Sequence, residues 1–407
     1  MTAGRHARAL PRSLPAMCRP RLILSLLVLA LPAPASARVP DPVRLQALID
    51  ELVAAGAPGA GLHVRDDVGD WTGAAGLSSL GSGRAMSRSS RFRAGAVTSS
   101  YVATVTLQLV EEGRLALADT VESRLPGALS YGGRVTVRQL LAHRSGVPDY
   151  LAVTPLDEYL TGGDGGLRVW SPAELVGLVS SRPVAFEPGS AWGYSSTNYV
   201  LLGLIVEKVT GRPLGAEVER RILRPLGLED TVFVTDPELT GSRARGYAAP
   251  RGADGAPTAG PLVEVSTFDP SIVWASGNIA GDVEDVADFY RYLFAGRFLP
   301  PALLTEMKRG EATGNAGTRY GLGLTVTDLP CGAAFGHEGS VFGYTTIVLA
   351  SEDGSRQVAL FVNVSPAVPA VVDAVRRVAR TVYCETRAPA PEPPAPPAPP
   401  RAALAAG

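Results

Sequence analysis

The chain has 407 residues, 46% of them hydrophobic, and its 38 basic side chains nearly balance 39 acidic ones, for a net charge of −1. This length and composition are typical of a globular protein with one large core or two joined subdomains. Nucleic acids and anionic membranes bind concentrated basic patches, and the sequence has no run of basic residues. Neither is therefore expected as a partner.

The first 37 residues are typical of an export signal. Basic residues precede an apolar run from Leu22 to Leu31, and Ala35-Ser36-Ala37 is an A-x-A-like cleavage site. The apolar run is too short to span a bilayer, so we expect no transmembrane segment. We expect a secreted protein, extracellular or in the cell envelope, that is cleaved near Ala37. Met1 and Met17 are alternative starts.

Predicted helices and strands follow in chain order. Asp41, with Pro42 behind it and apolar residues at helical spacing, predicts a helix that ends near Gly56. The later predictions are strands over 61–65 and 71–77, a helix over 98–112, helical stretches over 172–180, 198–210 and 283–294, strands over 320–327, 345–350 and 357–364, and a closing helix over 367–383.

This order predicts an α+β fold, in which an antiparallel β-sheet is built from both termini, packed by helices, and interrupted by an inserted all-α lobe. The domain is expected at 38–385, with its α/β part at about 38–95 and 285–385 and the helical lobe at about 96–284. The Ala/Pro-rich segment 386–407 lacks hydrophobic periodicity, so we expect a disordered tail.

Cysteine and histidine are scarce after the export signal. Cys331 and Cys384 are an even pair, which in an oxidising compartment predicts one disulfide; two buried free thiols are the alternative. The three histidines, at positions 63, 143 and 337, do not have the spacing of metal ligands. No metal and no cofactor are expected.

The most informative segment is Phe92-Arg93-Ala94-Gly95-Ala96-Val97-Thr98-Ser99, which opens an apolar helix. It resembles F-R-x-G-S-V-T-K, the nucleophile segment of the penicillin-recognising serine hydrolases, a family of class C-like serine β-lactamases and D-alanyl-D-alanine carboxypeptidases. A serine and a lysine at i and i+3 share one helix face, so the amine can take the proton of the hydroxyl. Here Ala96 replaces the serine and Ser99 replaces the lysine. A methyl group cannot attack a carbonyl.

Six further segments resemble the same family, in the same order. They are Leu140–Pro148, Phe186–Gly189, Tyr194–Gly203, Leu223–Leu228, Tyr320–Leu324 and Gly336–Gly339. The resemblance therefore covers most of the chain from Phe92 to Gly339, and it implies the β-lactamase/DD-peptidase fold. A bridge between Cys331 and Cys384 would match the C-terminal disulfide of the secreted actinomycete carboxypeptidases.

The second motif of this family is Y-x-N, which Tyr194-Ser195-Ser196 resembles. The family's tyrosine helps to shuttle the nucleophile's proton, and its asparagine binds the substrate amide. Ser196 offers one hydroxyl where an amide offers a carbonyl and an NH₂, so substrate orientation is expected to be weaker. The alternative role for Tyr194 is that of a packed aromatic residue.

The third motif is commonly H-T-G, and His337-Glu338-Gly339-Ser340 resembles it. The resemblance implies an oxyanion hole made by the backbone N–H groups of Ala96 and Ser340, which do not depend on side chains. Glu338 either enters the cleft, where it would disfavour a ligand carboxylate, or faces solvent.

The sequence thus predicts a secreted, catalytically degenerate relative of the serine DD-peptidases. It would bind a peptidoglycan peptide, or another small amide or ester, without covalent capture. The candidate ligand-binding residues are Ala96, Tyr194, Ser196, His337, Glu338, Gly339 and Ser340. One alternative is an active carboxypeptidase, amidase or esterase with a displaced nucleophile, Ser99 or Ser100, and His337 as its base. The other is a purely structural relic.

Overall fold

The computed structural model describes residues 41–386, except 155, 157–163 and 253. The predicted export signal and, from residue 387 onwards, the predicted tail lie outside the described residues. The helices are α1 (Pro42–Ala54), α2 (Thr98–Glu111), α3 (Val121–Arg124), α4 (Val137–Leu141), α5 (Pro172–Gly177), α6 (Ser196–Thr210), α7 (Leu214–Val218), α8 (Arg224–Leu226), α9 (Trp274–Gly277), α10 (Val283–Phe294), α11 (Pro301–Lys308) and α12 (Pro369–Glu385).

The strands form one large sheet and two small ones. They are β1 (Gly59–Arg65), β2 (Asp70–Ser79), β3 (Arg84–Ala85), β4 (Phe92–Arg93), β5 (Val232–Phe233), β6 (Tyr247–Ala248), β7 (Val263–Glu264), β8 (Ile279–Gly281), β9 (Glu311–Ala312), β10 (Thr318–Tyr320), β11 (Thr325–Leu329), β12 (Gly332–Val341), β13 (Tyr344–Ala350) and β14 (Gln357–Val362). The large sheet has the order β3-β2-β1-β14-β13-β12-β11-β10-β9, and its strand pairs are antiparallel. The predicted sheet built from both ends of the chain is confirmed.

Both faces of this sheet are covered, because its central strands alternate between two cores. On β14, Val358, Leu360 and Val362 pack in the core that contains α1 and α12, whereas Ala359 and Phe361 pack in the core that contains α2, α6 and α10. Successive side chains of a strand point to opposite faces, so a strand that is apolar at every position is buried on both.

The capping residues in the sequence correctly predict where two of the long helices begin. Asp41 caps α1, since its Oδ1 accepts the N–H of Val43 at 3.0 Å, and Pro42 occupies the first helical position. Asp282 caps α10 in the same way by accepting the N–H groups of Glu284 and Asp285. The prediction of a helix over 283–294 is confirmed residue for residue.

One predicted strand is wrong, and one strand was not predicted. The segment 320–327 is not one strand but parts of β10 and β11, separated by a loop in which Gly323 has φ +81° and its carbonyl accepts the Ser100 hydroxyl. β12 was not predicted, because Gly332–Val341 carries three glycines and little β-branched alternation. Short strands also lie within the mainly helical segment 96–284, among them β5 and β8.

A disulfide joins Cys331, just before β12, to Cys384 in the last turn of α12. It ties the sheet to the helix that covers it, so the predicted pairing is confirmed. Among the described residues, no helix combines the length and the apolar character that crossing a membrane would require.

Candidate ligand-binding cleft

A 3₁₀ turn over Gly95–Val97 leads into α2 and lies against the edge of β12. β11 pairs with β12 only over Gly332–Gly336, so from His337 onwards this edge is covered by the turn. The fit requires two glycines. A Cβ on Gly339 would lie 2.0 Å from the Ala94 carbonyl oxygen, and one on Gly95, which has φ +57°, would lie 3.0 Å from the Ser340 backbone.

The turn and the residues before it are also held by contacts with the segment 237–279. The Ala94 N–H donates to the Ile279 carbonyl at 2.8 Å, and the Ile279 N–H donates to Thr98 Oγ1 at 2.9 Å. Arg93 is buried, donates to the Pro237 carbonyl at 2.6 Å and lies over the ring of Phe268. The backbone at position 96 is therefore fixed by contacts that do not involve its own side chain.

A cleft of about 1550 Å³ opens beside this turn. The predicted site residues that line it are Ala96, Tyr194, His337, Glu338, Gly339 and Ser340. Two aromatic side chains that we did not predict as part of the site, Trp192 and Tyr320, line the same space. Trp192 lies two residues before Tyr194, and Tyr320 is the first residue of the Tyr320–Leu324 motif. Their closeness to these motifs is the sequence feature that could have identified them as site residues.

The predicted displaced nucleophiles, Ser99 and Ser100, do not line the cleft. Both side chains are fully buried. The Ser100 hydroxyl donates to the Gly323 carbonyl at 2.7 Å and shares a hydrogen bond of 2.8 Å with the Tyr290 hydroxyl. Ser99 Oγ has no hydrogen-bond partner of ordinary geometry. Neither hydroxyl is placed to attack a ligand in this structure.

The structure places the two predicted residues of the second motif differently: Tyr194 lines the cleft, whereas Ser196 is buried and does not line it. Asp149 Oδ1 accepts the N–H groups of Ser196 at 3.2 Å and Leu151 at 3.1 Å. Desolvation, and then the Asp149 carboxylate, raise the pKa of Tyr194 well above its usual range, while the hydroxyls of Ser196 and Ser99 oppose that rise. The phenol therefore stays protonated and cannot act as a base at neutral pH.

His337 is buried and neutral. Its Nδ1–H donates to the Glu338 carbonyl at 2.6 Å, so Nε2 is the acceptor for the Tyr320 hydroxyl at 2.8 Å. Burial lowers the pKa of His337 to about 4. With both ring nitrogens engaged, His337 is not placed as a base for Ser99 or Ser100.

His143, the histidine of the Leu140–Pro148 motif, packs against the aromatic side chains Tyr194 and Tyr320 that line the cleft. Its Nδ1 accepts the Ser195 N–H at 3.2 Å and an Asn198 amide hydrogen at 3.1 Å. Its ring centroid lies 4.3 Å from that of Tyr194 and 4.9 Å from that of Tyr320. Burial lowers the pKa of His143 well below its ordinary value, so it too is uncharged at neutral pH.

Glu338 combines features of the two alternatives, because it lines the cleft and is half exposed. Its side chain is 48% exposed and forms an ion pair of 3.4 Å with Arg376 on α12, and both residues line the cleft. Arg376 offsets the carboxylate charge, so repulsion of a ligand carboxylate is weaker than the sequence suggested. Within the described ranges, no group of three or more His, Cys, Asp or Glu side chains could hold a metal ion.

An antiparallel sheet with a helix that opens beside its edge is the arrangement of the penicillin-recognising serine hydrolases. The Beta-lactamase family model matches residues 45–383, and the chain belongs to this family. It is 35% identical over 309 residues to esterase EstB of Burkholderia gladioli, a match that covers 68% of this chain and 78% of that protein.

Solved structures of similar proteins have the same fold. A D-stereospecific amidohydrolase from Streptomyces sp. superposes with a TM-score of 0.73 and 36% identity, covering 83% of this chain and 98% of that one. The D-amino acid amidase from Ochrobactrum anthropi SV3, in complex with L-phenylalanine, superposes with a TM-score of 0.72 and 28% identity over 83% and 98% of the two chains.

Proposed function

We propose that this protein binds a small peptide, amide or ester in the cleft beside Ala96 and does not form an acyl-enzyme with it. The observation that carries the proposal is the side chain at position 96, a methyl group that lines the cleft where the family places its nucleophile. Position 99 carries a buried serine in place of the activating lysine. The chain's two lysines, Lys208 and Lys308, lie in other segments.

Backbone geometry supports binding without capture. The close packing of the Gly95–Val97 turn on Gly339 and Ser340 is retained, and it depends on main-chain atoms. Backbone N–H groups of Ala96 and Ser340 would polarise a ligand carbonyl as in an oxyanion hole. The aromatic walls would cover its apolar parts. We further propose that the protein acts after export, in the cell envelope or outside the cell.

A working serine hydrolase is the second candidate. The names of the similar proteins, an esterase, an amidohydrolase and an amidase, favour it. Ser340 is the hydroxyl best placed for such a role, because it is exposed, lines the cleft next to Ala96 and shares a hydrogen bond of 2.7 Å with Ser365. A serine without an adjacent base is a weak nucleophile, which is why we rank this candidate second.

The two candidates differ in what happens to a fluorophosphonate probe. The binding protein leaves the probe unreacted, whereas a hydrolase forms a covalent adduct that is lost in Ser340→Ala if Ser340 is the nucleophile. Calorimetric titration of the wild type with a peptide ending in D-Ala-D-Ala then measures binding, for which we expect saturable, reversible heat. An adduct on the wild type would overturn the proposal in favour of the hydrolase, and no binding of any amide or ester would favour the structural relic.

A further inference from the structure

The cleft continues from the edge of β12 onto the face of the sheet that α12 covers. Glu338 of β12 pairs with Ile347 of β13, and Ile347 packs in the core that contains α1 and α12. Thr325 of β11 pairs with Gly336, two residues before Glu338, so Thr325 and, by alternation, Thr327 lie on the same face. Both threonines and Glu338 line the cleft. We call the part of the cleft between these three residues and α12 the α12 arm.

α12 presents one stripe of side chains to this arm. Among its residues that line the cleft, four are spaced by three or four positions and therefore share one side of the helix: Asp373, Arg376, Arg380 and Cys384. From Asp373 to Cys384 the stripe extends over about 16 Å. A D-Ala-D-Ala dipeptide is about 7 Å long, so a ligand that reaches from Ala96 into the arm must be longer than this dipeptide.

The charges of the α12 arm leave one cation without a counter-ion. Arg376 is paired with Glu338 at 3.4 Å, and Arg377, which also lines the cleft, is paired with a carboxylate of α1 at 3.5 Å. Arg380 is exposed, and its side chain forms no ion pair and no hydrogen bond with any residue that the structure describes. The carboxylate on the same stripe, Asp373, lies about two helical turns away. The guanidinium of Arg380 is therefore free to bind an anion.

We propose that the ligand of this cleft is an elongated amide, ester or peptide with an anionic group, a carboxylate or a phosphate, remote from the carbonyl that lies beside Ala96, and that Arg380 binds this group in the α12 arm. This inference rests on the proposed binding function and names the ligand class of the same site.

The chemistry of the arm matches such a group. The N–H groups of a guanidinium form a planar fork that donates two hydrogen bonds to one carboxylate or phosphate. On the sheet side of the arm, the hydroxyls of Thr325 and Thr327 are partly exposed and make no hydrogen bond within the described part of the chain, so they are available as further donors. Because Arg380 is exposed, salt screens its charge, and binding of the anion should weaken as the ionic strength increases.

The test uses D-Ala-D-Ala peptides that carry a straight suberic acid chain, coupled at the N-terminal end in one probe and at the C-terminal end in the other, so that either orientation of the ligand is covered. Each probe is compared by calorimetry with its isosteric carboxamide, which lacks only the remote charge. For one of the two probes we expect the carboxylate to bind about fivefold more tightly than the carboxamide at low salt, the upper end for an exposed ion pair. A chain of the same length that ends in a phosphonate shows which of the two anions binds more tightly.

In Arg380→Gln the preference for the charged form should fall below about twofold, while the affinity for the carboxamide stays unchanged. Arg297→Gln is the matched control, because Arg297 is likewise exposed, forms no ion pair with a described residue and lies outside this cleft. It should keep the full preference.

Sodium phosphate, titrated against sodium chloride at equal ionic strength, tests the arm without a peptide. We expect a saturable shift of the Arg380 Nε–H resonance in NMR spectra, identified by its absence in Arg380→Gln, and no such shift for Arg297. Equal affinities of the charged and neutral forms in both orientations, a preference that survives Arg380→Gln, or no phosphate shift would overturn the anion site and leave the binding function standing. If no peptide probe binds, the proposed function fails, and the phosphate titration still decides whether the arm binds an anion.

Discussion

The two walls of the cleft differ in what substitution has left intact. On the wall formed by the start of α2, the groups with which the family transfers a proton are side chains, and this chain has Ala96 and Ser99 at their positions. On the sheet wall, the packing of the Gly95–Val97 turn against β12 is made by backbone atoms and glycines, and it is retained. In the proposed binding protein, the two substitutions would remove the proton transfer that side chains perform, while the backbone frame that would bind a carbonyl stays in place.

The largest expected effect comes from restoring the serine and the lysine of the family motif at positions 96 and 99. Ala96→Ser with Ser99→Lys should form an acyl adduct with penicillin at least on the order of 100-fold faster than Ala96→Ser alone, because a positioned general base contributes about 10²–10⁴ in rate. Time-resolved intact-mass spectrometry measures both rates.

The two substitutions act as a unit, so their combined effect should exceed the sum of the single ones. Ala96→Ser with Ser99→Met is the control, since Met has a long side chain without a base. If the Ser/Lys variant acylates no faster than this control, the sheet wall has not kept a functional geometry.

A smaller effect is expected from disturbing the packing of the Gly95–Val97 turn against β12. Gly339→Ala places a methyl group 2.0 Å from the Ala94 carbonyl oxygen, and overpacking of this kind costs about 1–3 kcal/mol of unfolding free energy. Urea unfolding measures the loss. Gly133→Ala, where an added Cβ meets no atom within 4 Å, should change stability by less than about 0.5 kcal/mol. Equal effects of the two substitutions would show that the turn is not packed tightly on β12.

The buried histidine of the sheet wall predicts a pH dependence of stability. The pKa of His337 is lowered to about 4 from an ordinary 6.5, so between these values the unfolded chain binds a proton that the folded chain does not. The unfolding free energy should therefore fall as the pH decreases from about 6.5 to about 4, by up to about 1.4 kcal/mol per pH unit for this one group.

His337→Gln should reduce the slope of the unfolding free energy against pH by the equivalent of about one bound proton. Urea unfolding at several pH values measures this slope. His63 is buried with its pKa lowered to about 4 as well, so His63→Gln should flatten the slope by a similar amount without touching the cleft. An unchanged slope in His337→Gln would mean that its imidazole is solvated in the folded protein.

The smallest effect concerns the Glu338–Arg376 ion pair. Both side chains are about half exposed, and exposed pairs contribute about 0–1 kcal/mol. Glu338→Thr should strengthen binding of a peptide with a free carboxylate by up to about fivefold, more at low salt, because Arg376 is then released. Glu306→Thr, which breaks an ion pair with Arg138 on α4, is the control in the same calorimetric titration. No gain at low salt would place the ligand carboxylate away from Arg376.

The long helices and most central strands could be predicted from the sequence because their signals are local. Asp282 with the apolar spacing behind it defines α10, and continuous apolar runs define β13 and β14. β12 could not be predicted in this way. Its glycines are required by the approach of the 95–97 turn, a tertiary contact that leaves no periodic pattern.

The candidate site could be predicted in its members but not in its arrangement. The motifs identified Ala96, Tyr194 and the residues around His337, which line the cleft, and also Ser196, which is buried and does not line it. The sequence did not indicate that Tyr320 occupies Nε2 of His337, or that Asp149 contacts the second motif. These contacts join segments far apart in the chain, so only the fold brings them together.

The measurement that tests the central claim most directly is the intact mass of the mature wild-type protein after prolonged exposure to penicillin. A methyl group at position 96 and a buried serine at position 99 predict an unchanged mass, with any bound penicillin lost on denaturation. A stoichiometric mass increase equal to one penicillin, retained after denaturation, would contradict the account and establish that another residue of the cleft performs the attack.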